Sequence, residues 1–218
     1  MRTLRLVAAL LSPALLLACG TGTGTGDGDG DGAASDPGPA TSAPSSPVPA
    51  ATGRVSTPQL ALVMDTGRPE LCLGPVAQSW PPQCRGLPLA GWRWSKHPEH
   101  EEQDGARWGS FAVTGTWDGE RFTVQEAVPA ARYDVPGAEP TATSTPGSTV
   151  RPSLSPDELA VVAEESALLP GWRSAAVVDS QVLVDVVYDD GSLQEWADQR
   201  WGRGVVVLLP LLSGDRAP

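Results

Sequence analysis

Alternating apolar and polar positions give the clearest structural signal, and they lie near the middle of the chain. Two such segments, Trp108–Trp117 and Glu120–Ala127, flank the dipeptide Asp118-Gly119. A two-residue Asp-Gly connection between alternating segments is typical of a β-hairpin, because these residues accept the positive φ of the tight turn. The residues that share one face of the predicted hairpin are Phe111, Val113, Gly115 and Trp117 on the first strand and Phe122, Val124 and Glu126 on the second.

The hairpin belongs to a first folded region, residues 58–130, that we expect to be a small antiparallel β unit. The apolar run Gln59–Met64 predicts another strand of this unit. The segment between Cys72 and Cys84 is rich in Pro and Gly, so it is expected to be an irregular loop. The overall pattern resembles that of a small OB-like barrel, and it predicts a compact β unit.

A second folded region, residues 156–212, contains sequence patterns that predict the starts of two helices. Ser155 and Glu158 form a capping box around Pro156 in the first helical turn. Ser192 and Glu195 predict a second capping box and a second helix. Each helix is therefore expected to begin at a Ser-Glu pair.

Strands are predicted between and after these helices. Ser174–Asp179 and Val182–Tyr188 alternate and are joined by a tight turn, and Val205–Leu209 is apolar throughout. A strand, a helix and a strand imply a right-handed crossover with parallel pairing. We expect Val205–Leu209 to be the central strand, covered on both faces. The fold class is therefore α+β, with the β unit followed by a small α-β-β-α-β sandwich.

Low-complexity segments flank and separate the two regions. Residues 19–57 are predicted to be a disordered Gly/Ser/Thr/Pro tether, residues 131–155 a Pro/Thr/Ser linker, and residues 213–218 a tail. An alternative for the tether is a calcium loop, because Asp27, Asp29, Asp31 and Gly32 match the start of that motif. The twelfth position of the motif is Gly38 rather than an acidic residue. This favours a solvated linker.

Charge excludes one class of partner. The chain of 218 residues carries a formal net charge of −11. Nucleic-acid binding needs a clustered basic surface to neutralise phosphates, so we expect no nucleic-acid partner. Adhesion to anionic lipid by charge alone is disfavoured for the same reason.

The N-terminus has the pattern of an export signal. Arg2 and Arg5 precede an apolar run, Leu6–Leu17. A membrane-spanning helix needs about 20 apolar residues, so this run is too short to span. Residues 1–18 are therefore expected to be a signal peptide.

The end of that signal, Leu16-Leu17-Ala18-Cys19, resembles the lipobox of bacterial lipoproteins. The resemblance implies cleavage between Ala18 and Cys19 and a diacylglycerol on the Cys19 thiol. Two acyl chains hold a protein stably at a bilayer, whereas one chain binds reversibly. We therefore expect a protein anchored to the extracytoplasmic face of the cell membrane. The alternative is an ordinary secretory signal in which the cysteine occurs by chance.

The cysteine count is consistent with this anchor. Assigning Cys19 to lipid leaves Cys72 and Cys84 as an even pair, and paired cysteines of exported proteins usually form a bridge. We expect a disulfide between them, worth about 3 kcal/mol on the chain-entropy model. The alternative is a reactive cysteine near His97.

Two groups of residues carry candidate chemistry. His97 and His100 lie among carboxylates and are candidates for zinc, although Pro98 disfavours a helix that would present both rings. A charged loop explains them more simply, and we assign no metal and no cofactor. Most of the eight tryptophans are expected in the core, because each buries a large apolar area. Trp92 and Trp94 alternate, so the alternative is that one of them faces solvent and is a ligand or partner surface.

No pattern of catalytic residues is present in the sequence, so we assign no catalytic residue. G-x-S-x-G, P-loop and dinucleotide-binding patterns do not occur. Asp189-Asp190 is explained as turn chemistry, and Glu164-Glu165 as a solvated part of a helix. The alternative is hydrolysis by two carboxylates that are distant in sequence.

Three segments resemble a family of uncharacterised actinobacterial lipoproteins. They are CLGPVAQSWPPQCRGLPLAGWRW, WGSFAVTGTWDGERFTV and YDDGSLQEWADQRWGRGVVVL. The resemblance implies the same anchored architecture and carries no activity. We therefore expect a non-enzymatic lipoprotein that binds a protein or polymer partner in the cell envelope. The alternatives are a glycan- or small-ligand-binding module that uses an exposed Trp, and an extracytoplasmic hydrolase.

Overall fold

The structure is a computed structural model, and it describes residues 47–134 and 154–214. The signal peptide with Ala18 and Cys19, the start of the tether with Asp27, Asp29 and Asp31, and most of the second linker lie outside the described residues. The strands are β1 (Arg54–Ser56), β2 (Ala61–Asp65), β3 (Pro69–Cys72), β4 (Leu87–Ala90), β5 (Glu101–Gln103), β6 (Ala106–Trp117), β7 (Phe122–Pro129), β8 (Trp172–Val178), β9 (Gln181–Val186), β10 (Val206–Pro210) and β11 (Ser213–Gly214). The α-helices are α1 (Pro156–Glu165) and α2 (Ser192–Trp201). These elements confirm the α+β class.

Five strands of the first region close into a ring. Strand β6 pairs with β2, β2 with β3, β3 with β4, β4 with β7, and β7 returns to β6. All of these pairs are antiparallel except β4 with β7, which is parallel. The ring closes because β6 is 12 residues long, so it can pair with β2 along one half and with β7 along the other. This closed barrel agrees with the OB-like barrel that the sequence pattern suggests.

The interior of the barrel is filled from the alternating face of β6. Phe111, Val113 and Trp117 are at most 2% exposed, and Phe122 on β7 is fully buried against them. Gly115 shares that face, where a Cβ would collide with the carbonyl oxygen of Thr123 and the ring of Phe122. The glycine lets the two strands approach closely, as the hairpin pattern requires.

The hairpin differs from the prediction in its turn and in one strand. The loop holds four residues, 118–121, because the Asp118 carboxylate accepts hydrogen bonds from the N–H groups of Glu120 and Arg121 at 2.9 and 2.7 Å. Beyond Val124, a bulge opposite Thr114 and Gly115 shifts the register by one residue. Such a shift reverses the faces, so Glu126 is exposed rather than on the core face.

The second region is a two-layer α/β unit with the predicted α-β-β-α-β order. Its sheet has the order β10-β9-β8, in which β9 pairs with β8 antiparallel and with β10 parallel. Both helices pack on one face of this sheet, where Val182, Val184 and Val206 are fully buried with Leu159 of α1 and Leu193 of α2. The opposite face carries no described helix.

The apolar strand β10 is at an edge of this sheet, so the expectation that it is central is wrong. Strand β9 is central because it receives both β8 and β10. The edge of β10 is covered by Gln194 of α2, whose Nε2 donates to the Val206 carbonyl at 3.0 Å while its Oε1 accepts from the Leu208 N–H at 2.9 Å. The side-chain amide substitutes for a neighbouring strand and protects the edge.

The two helix starts have different caps. The Ser155 hydroxyl accepts from the Glu158 N–H, and the Glu158 carboxylate accepts from the Ser155 N–H at 2.7 Å, which confirms the first capping box. The second box is not formed, because α2 begins after Gly191 with no side-chain cap at that position. Asp189 instead accepts from the N–H groups of Leu193 and Gln194, so a residue upstream of the helix satisfies its first turn.

The boundaries of the two regions differ from the predicted ones at both ends. Strand β1 lies in the predicted tether, and β11, in the predicted tail, pairs with it. Val55 and Leu212 are at most 1% exposed and both belong to the core of the barrel. The barrel and the α/β region therefore form part of one compact unit, because the chain returns to the barrel after β10.

Candidate functional site

A groove lies where the end of β10 passes the barrel. Its volume is about 620 Å³, which is within the range of about 300–1,000 Å³ typical of ligand pockets. The side chains that line it include Leu60, Leu62, Val76, Asp185, Leu209 and Leu211. The groove is open to solvent, and it joins parts of the chain that are more than 100 residues apart.

The barrel side of the groove is formed by the outer face of β2 and by the loop that follows β3. Ala61 and Val63 are buried, so Leu62 points outward between them, opposite Cys72 on β3. Leu60 precedes β2 and Val76 follows β3, and their exposed fractions are 40% and 37%. Two apolar side chains therefore reach solvent at this wall.

The other wall is the helix-free face of the three-stranded sheet. Asp185 of β9 lies opposite Leu209 of β10 and Ser174 of β8 in the strand register. The valines at 182, 184 and 186 point toward the helices, so Asp185 points toward the groove. Its carboxylate accepts a short hydrogen bond from the Ser174 hydroxyl, which holds its orientation. Leu209, beside it, is 41% exposed.

The loop and the sheet approach each other closely beside the groove. Gly74 has a φ of +88°, and a Cβ there would lie 3.0 Å from the Cβ of Arg173 on β8. Arg173 is half-buried at this contact, and its Nη1 donates to the Arg85 carbonyl at 3.3 Å. Burial lowers the pKa of Arg173, and the charge of Arg85 lowers it further. A glycine at 74 therefore permits the close contact between this loop and β8.

Asp185 is the one charged side chain among the described residues that line the groove. Within the described residues it forms no ion pair, and its one hydrogen-bond donor is the neutral Ser174. The remaining lining residues are apolar or uncharged. The groove therefore combines apolar walls with a single negative charge.

The disulfide between Cys72 and Cys84 is confirmed, with the two Cα atoms 5.8 Å apart. The disulfide holds the intervening loop against the outer face of the barrel. Trp80 in this loop packs edge-on against Trp108, with ring centroids 5.1 Å apart. Trp108 is 4% exposed and Trp80 is 65% exposed, so Trp80 covers its partner and presents its own ring to solvent.

Trp92 and Trp94 are both buried at 8% exposure, as expected of core tryptophans, so neither is the ligand or partner surface for which they were candidates. Alternation determines the face on which a side chain lies only in a strand, whereas β4 ends at Ala90 and a 3₁₀ turn covers Trp94–Lys96. The turn directs both rings inward, where Trp92 lies 4.9 Å from Phe111. The Nε1 of Trp94 donates to the Asp65 carboxylate at 2.9 Å, so this tryptophan has a structural role.

The two histidines take part in the same packing. The ring of His97 stacks on Trp92 with centroids 4.1 Å apart, and burial lowers its pKa against an opposing effect of Glu99. His100 donates from Nδ1 to the His97 carbonyl at 2.8 Å. Within the described part of the chain, no group of three or more His, Cys, Asp or Glu is arranged to hold a metal.

The remaining candidate carboxylates have structural partners. Asp189 and Asp190 accept hydrogen bonds from backbone N–H groups at the start of α2, in agreement with their assignment as turn residues. Glu165 is not simply solvated, because it accepts from the Trp201 indole at 2.9 Å and pairs with Arg200 at 3.2 Å.

The chain matches no protein-family model, no curated protein and no solved structure. Among the residues that the structure describes, no helix combines the length and the apolar composition that crossing a bilayer requires. A proposal about function therefore depends on the N-terminal sequence and on the groove.

Proposed function

We propose that this protein is a lipid-anchored lipoprotein of the extracytoplasmic membrane face that binds a protein or polymer partner of the cell envelope through the groove. The lipobox-like segment that ends at Cys19 supports the anchor, and the resemblance to actinobacterial lipoproteins is part of the same proposal. A tether between the anchor and the fold would let the groove reach a partner at a distance from the bilayer.

The observation that carries partner binding is the exposure of three apolar side chains around one groove. Leu60, Val76 and Leu209 are each 37–41% exposed and line the same opening. Ligand and partner sites are typically concave and lined mainly by apolar side chains, and the three residues give this groove that character. The open form of the groove favours a partner over an enclosed substrate.

Site-specific photocrosslinking in intact cells tests this proposal. A benzoylphenylalanine residue in place of Leu60 is expected to give a discrete adduct, and Leu209→Asp in the same chain is expected to abolish it. The control places the photocrosslinker at Glu120, which is exposed and does not line the groove. Equal adducts from both positions, or no adduct from position 60, would contradict partner binding at the groove.

The anchor is tested separately by Cys19→Ser. The variant is expected in the soluble fraction after cell lysis, because it offers no thiol for the diacylglycerol. The wild type is expected to sediment with vesicles and to enter the detergent phase. If the variant still sediments as the wild type does, the anchor proposal is refuted.

A second candidate function, glycan binding, is favoured by Trp80 alone. An exposed indole is suited to stacking on a sugar ring, and Trp80 is 65% exposed. Titration of the chain with envelope polysaccharides would then change tryptophan fluorescence in the wild type and not in Trp80→Ala. No change in the wild type would leave this candidate without support.

A further inference from the structure

We propose that the groove accepts a segment of a partner protein in which a lysine or arginine is flanked by apolar side chains, with the cation paired to Asp185. This inference deepens the proposed function and rests on it. Three features support it: the charge of Asp185, the apolar walls of the groove and the net charge of the chain.

Asp185 is placed and oriented as an acceptor for a cation. It lies on the central strand β9, partly buried between Ser174 and Leu209. The Ser174 hydroxyl binds one carboxylate oxygen, Oδ2, so Oδ1 has no described partner. A partly buried carboxylate whose one described donor is neutral can accept further, charge-assisted hydrogen bonds from a cationic partner.

The apolar walls around Asp185 favour a partner segment in which apolar side chains flank the cationic residue. Leu60 and Val76 line the groove on the barrel side, Leu209 lines it from β10, and Leu211 lines it just after that strand. A lysine side chain matches this arrangement, because its aliphatic stem packs on apolar surface while its ammonium group stays at the polar end. The volume of about 620 Å³ leaves room for the side chains on either side of the cation.

The charge of the whole chain favours a basic partner over a second copy. The net charge of −11 attracts a basic segment at long range and repels another molecule of the same chain. An acidic segment would place a like charge against Asp185, which is costly in a partly desolvated groove. The occupant is therefore basic and apolar.

The test is an NMR titration of the full chain carrying Cys19→Ser, with methyl groups of Leu60, Val76 and Leu209 as reporters. The probes are acetylated and amidated tripeptides with the sequences Leu-Lys-Leu, Leu-norleucine-Leu and Leu-Glu-Leu. We expect shifts at the groove methyl groups and an affinity for the lysine peptide about threefold to tenfold above that for the norleucine peptide. The glutamate peptide is expected to bind more weakly than either.

Asp185→Asn removes the charge and keeps an oxygen that can accept from Ser174. It is expected to lower the affinity for the lysine peptide to that of the norleucine peptide. Asp179→Asn is the matched control, because it removes the same charge from the turn between β8 and β9 and does not line the groove. The control is expected to leave all three affinities unchanged.

The outcomes separate this inference from the proposed function. Equal binding of the lysine and norleucine peptides, or no effect of Asp185→Asn, overturns the charged pair. The same holds if the groove methyl groups do not shift. Tighter binding of octylammonium than of the lysine peptide would identify an amphiphile rather than a protein segment as the occupant. In each of these cases a photocrosslinked adduct at position 60 would still support partner binding.

Discussion

Replacement of Leu212 by alanine tests whether the end of the chain is part of the barrel. Leu212 is fully buried in the barrel core, although it follows the α/β region in sequence. Its backbone N–H donates to the Val187 carbonyl at 2.9 Å, and the next two residues form β11 against β1. The residue is therefore one of the links between the barrel and the α/β region.

The expected cost follows from the burial of the side chain. Leu→Ala removes three carbon atoms, each worth about 0.8 kcal/mol in transfer free energy, and the cavity adds to this. We expect the free energy of unfolding to fall by about 3 kcal/mol. For a fold of this size, that loss lowers Tm by about 6–12 °C.

The assay is urea unfolding followed by tryptophan fluorescence and by circular dichroism. The matched control is Leu209→Ala, three residues earlier and 41% exposed, which is expected to cost less than about 1 kcal/mol. The two probes are expected to report one shared transition in the wild type. A Leu212→Ala variant as stable as the control would refute the assignment of this residue to the barrel core.

Three further predictions concern the cap, the disulfide and pH. Asp189→Ala is expected to lower the free energy of unfolding by about 1 kcal/mol, because the N–H groups in the first turn of α2 lose their acceptor. Its control, Ser192→Ala, is expected to be nearly neutral in the same urea unfolding assay. Reduction of the bridge between Cys72 and Cys84 increases the conformational entropy of the unfolded chain. Dithiothreitol is therefore expected to lower the free energy of unfolding by about 3 kcal/mol in the wild type and not in a Cys72→Ser/Cys84→Ser variant. Hydrogen bonds from Ser155 lower the pKa of Glu158, so its contribution to stability is present above the ordinary glutamate range and is lost as pH falls through the lowered pKa. Unfolding curves from neutral to acidic pH are expected to show a shallower loss for Glu158→Gln, and identical slopes would contradict this.

Structural features that are set by residues close together in the sequence could be predicted from it. The inward face of β6 followed from alternation, and the cap of α1 from the Ser155–Glu158 pair. The cap of α2 was assigned to the wrong residue, because an aspartate ahead of the helix competes successfully with the serine at its start. Local patterns identify an element more reliably than they identify its hydrogen-bond partners.

The groove could not be predicted, because its walls come from distant parts of the chain. Nothing in the sequence around Asp185 indicates that Leu60 and Val76 face it. The burial of both Trp92 and Trp94 could not be predicted either, because it depends on a 3₁₀ turn that the alternating pattern does not indicate. The edge position of β10 was missed because Gln194 supplies the cover that a neighbouring strand would otherwise provide.

The pairing of β1 with β11 has a consequence for the order in which the protein can fold during synthesis. The barrel core lacks the Leu212 side chain, and β1 lacks its partner β11, until residues 212–214 have been made. A nascent chain therefore cannot complete its first region early, although that region is synthesised first. The final packing of the barrel core therefore waits for residues that are added after the whole of the α/β region.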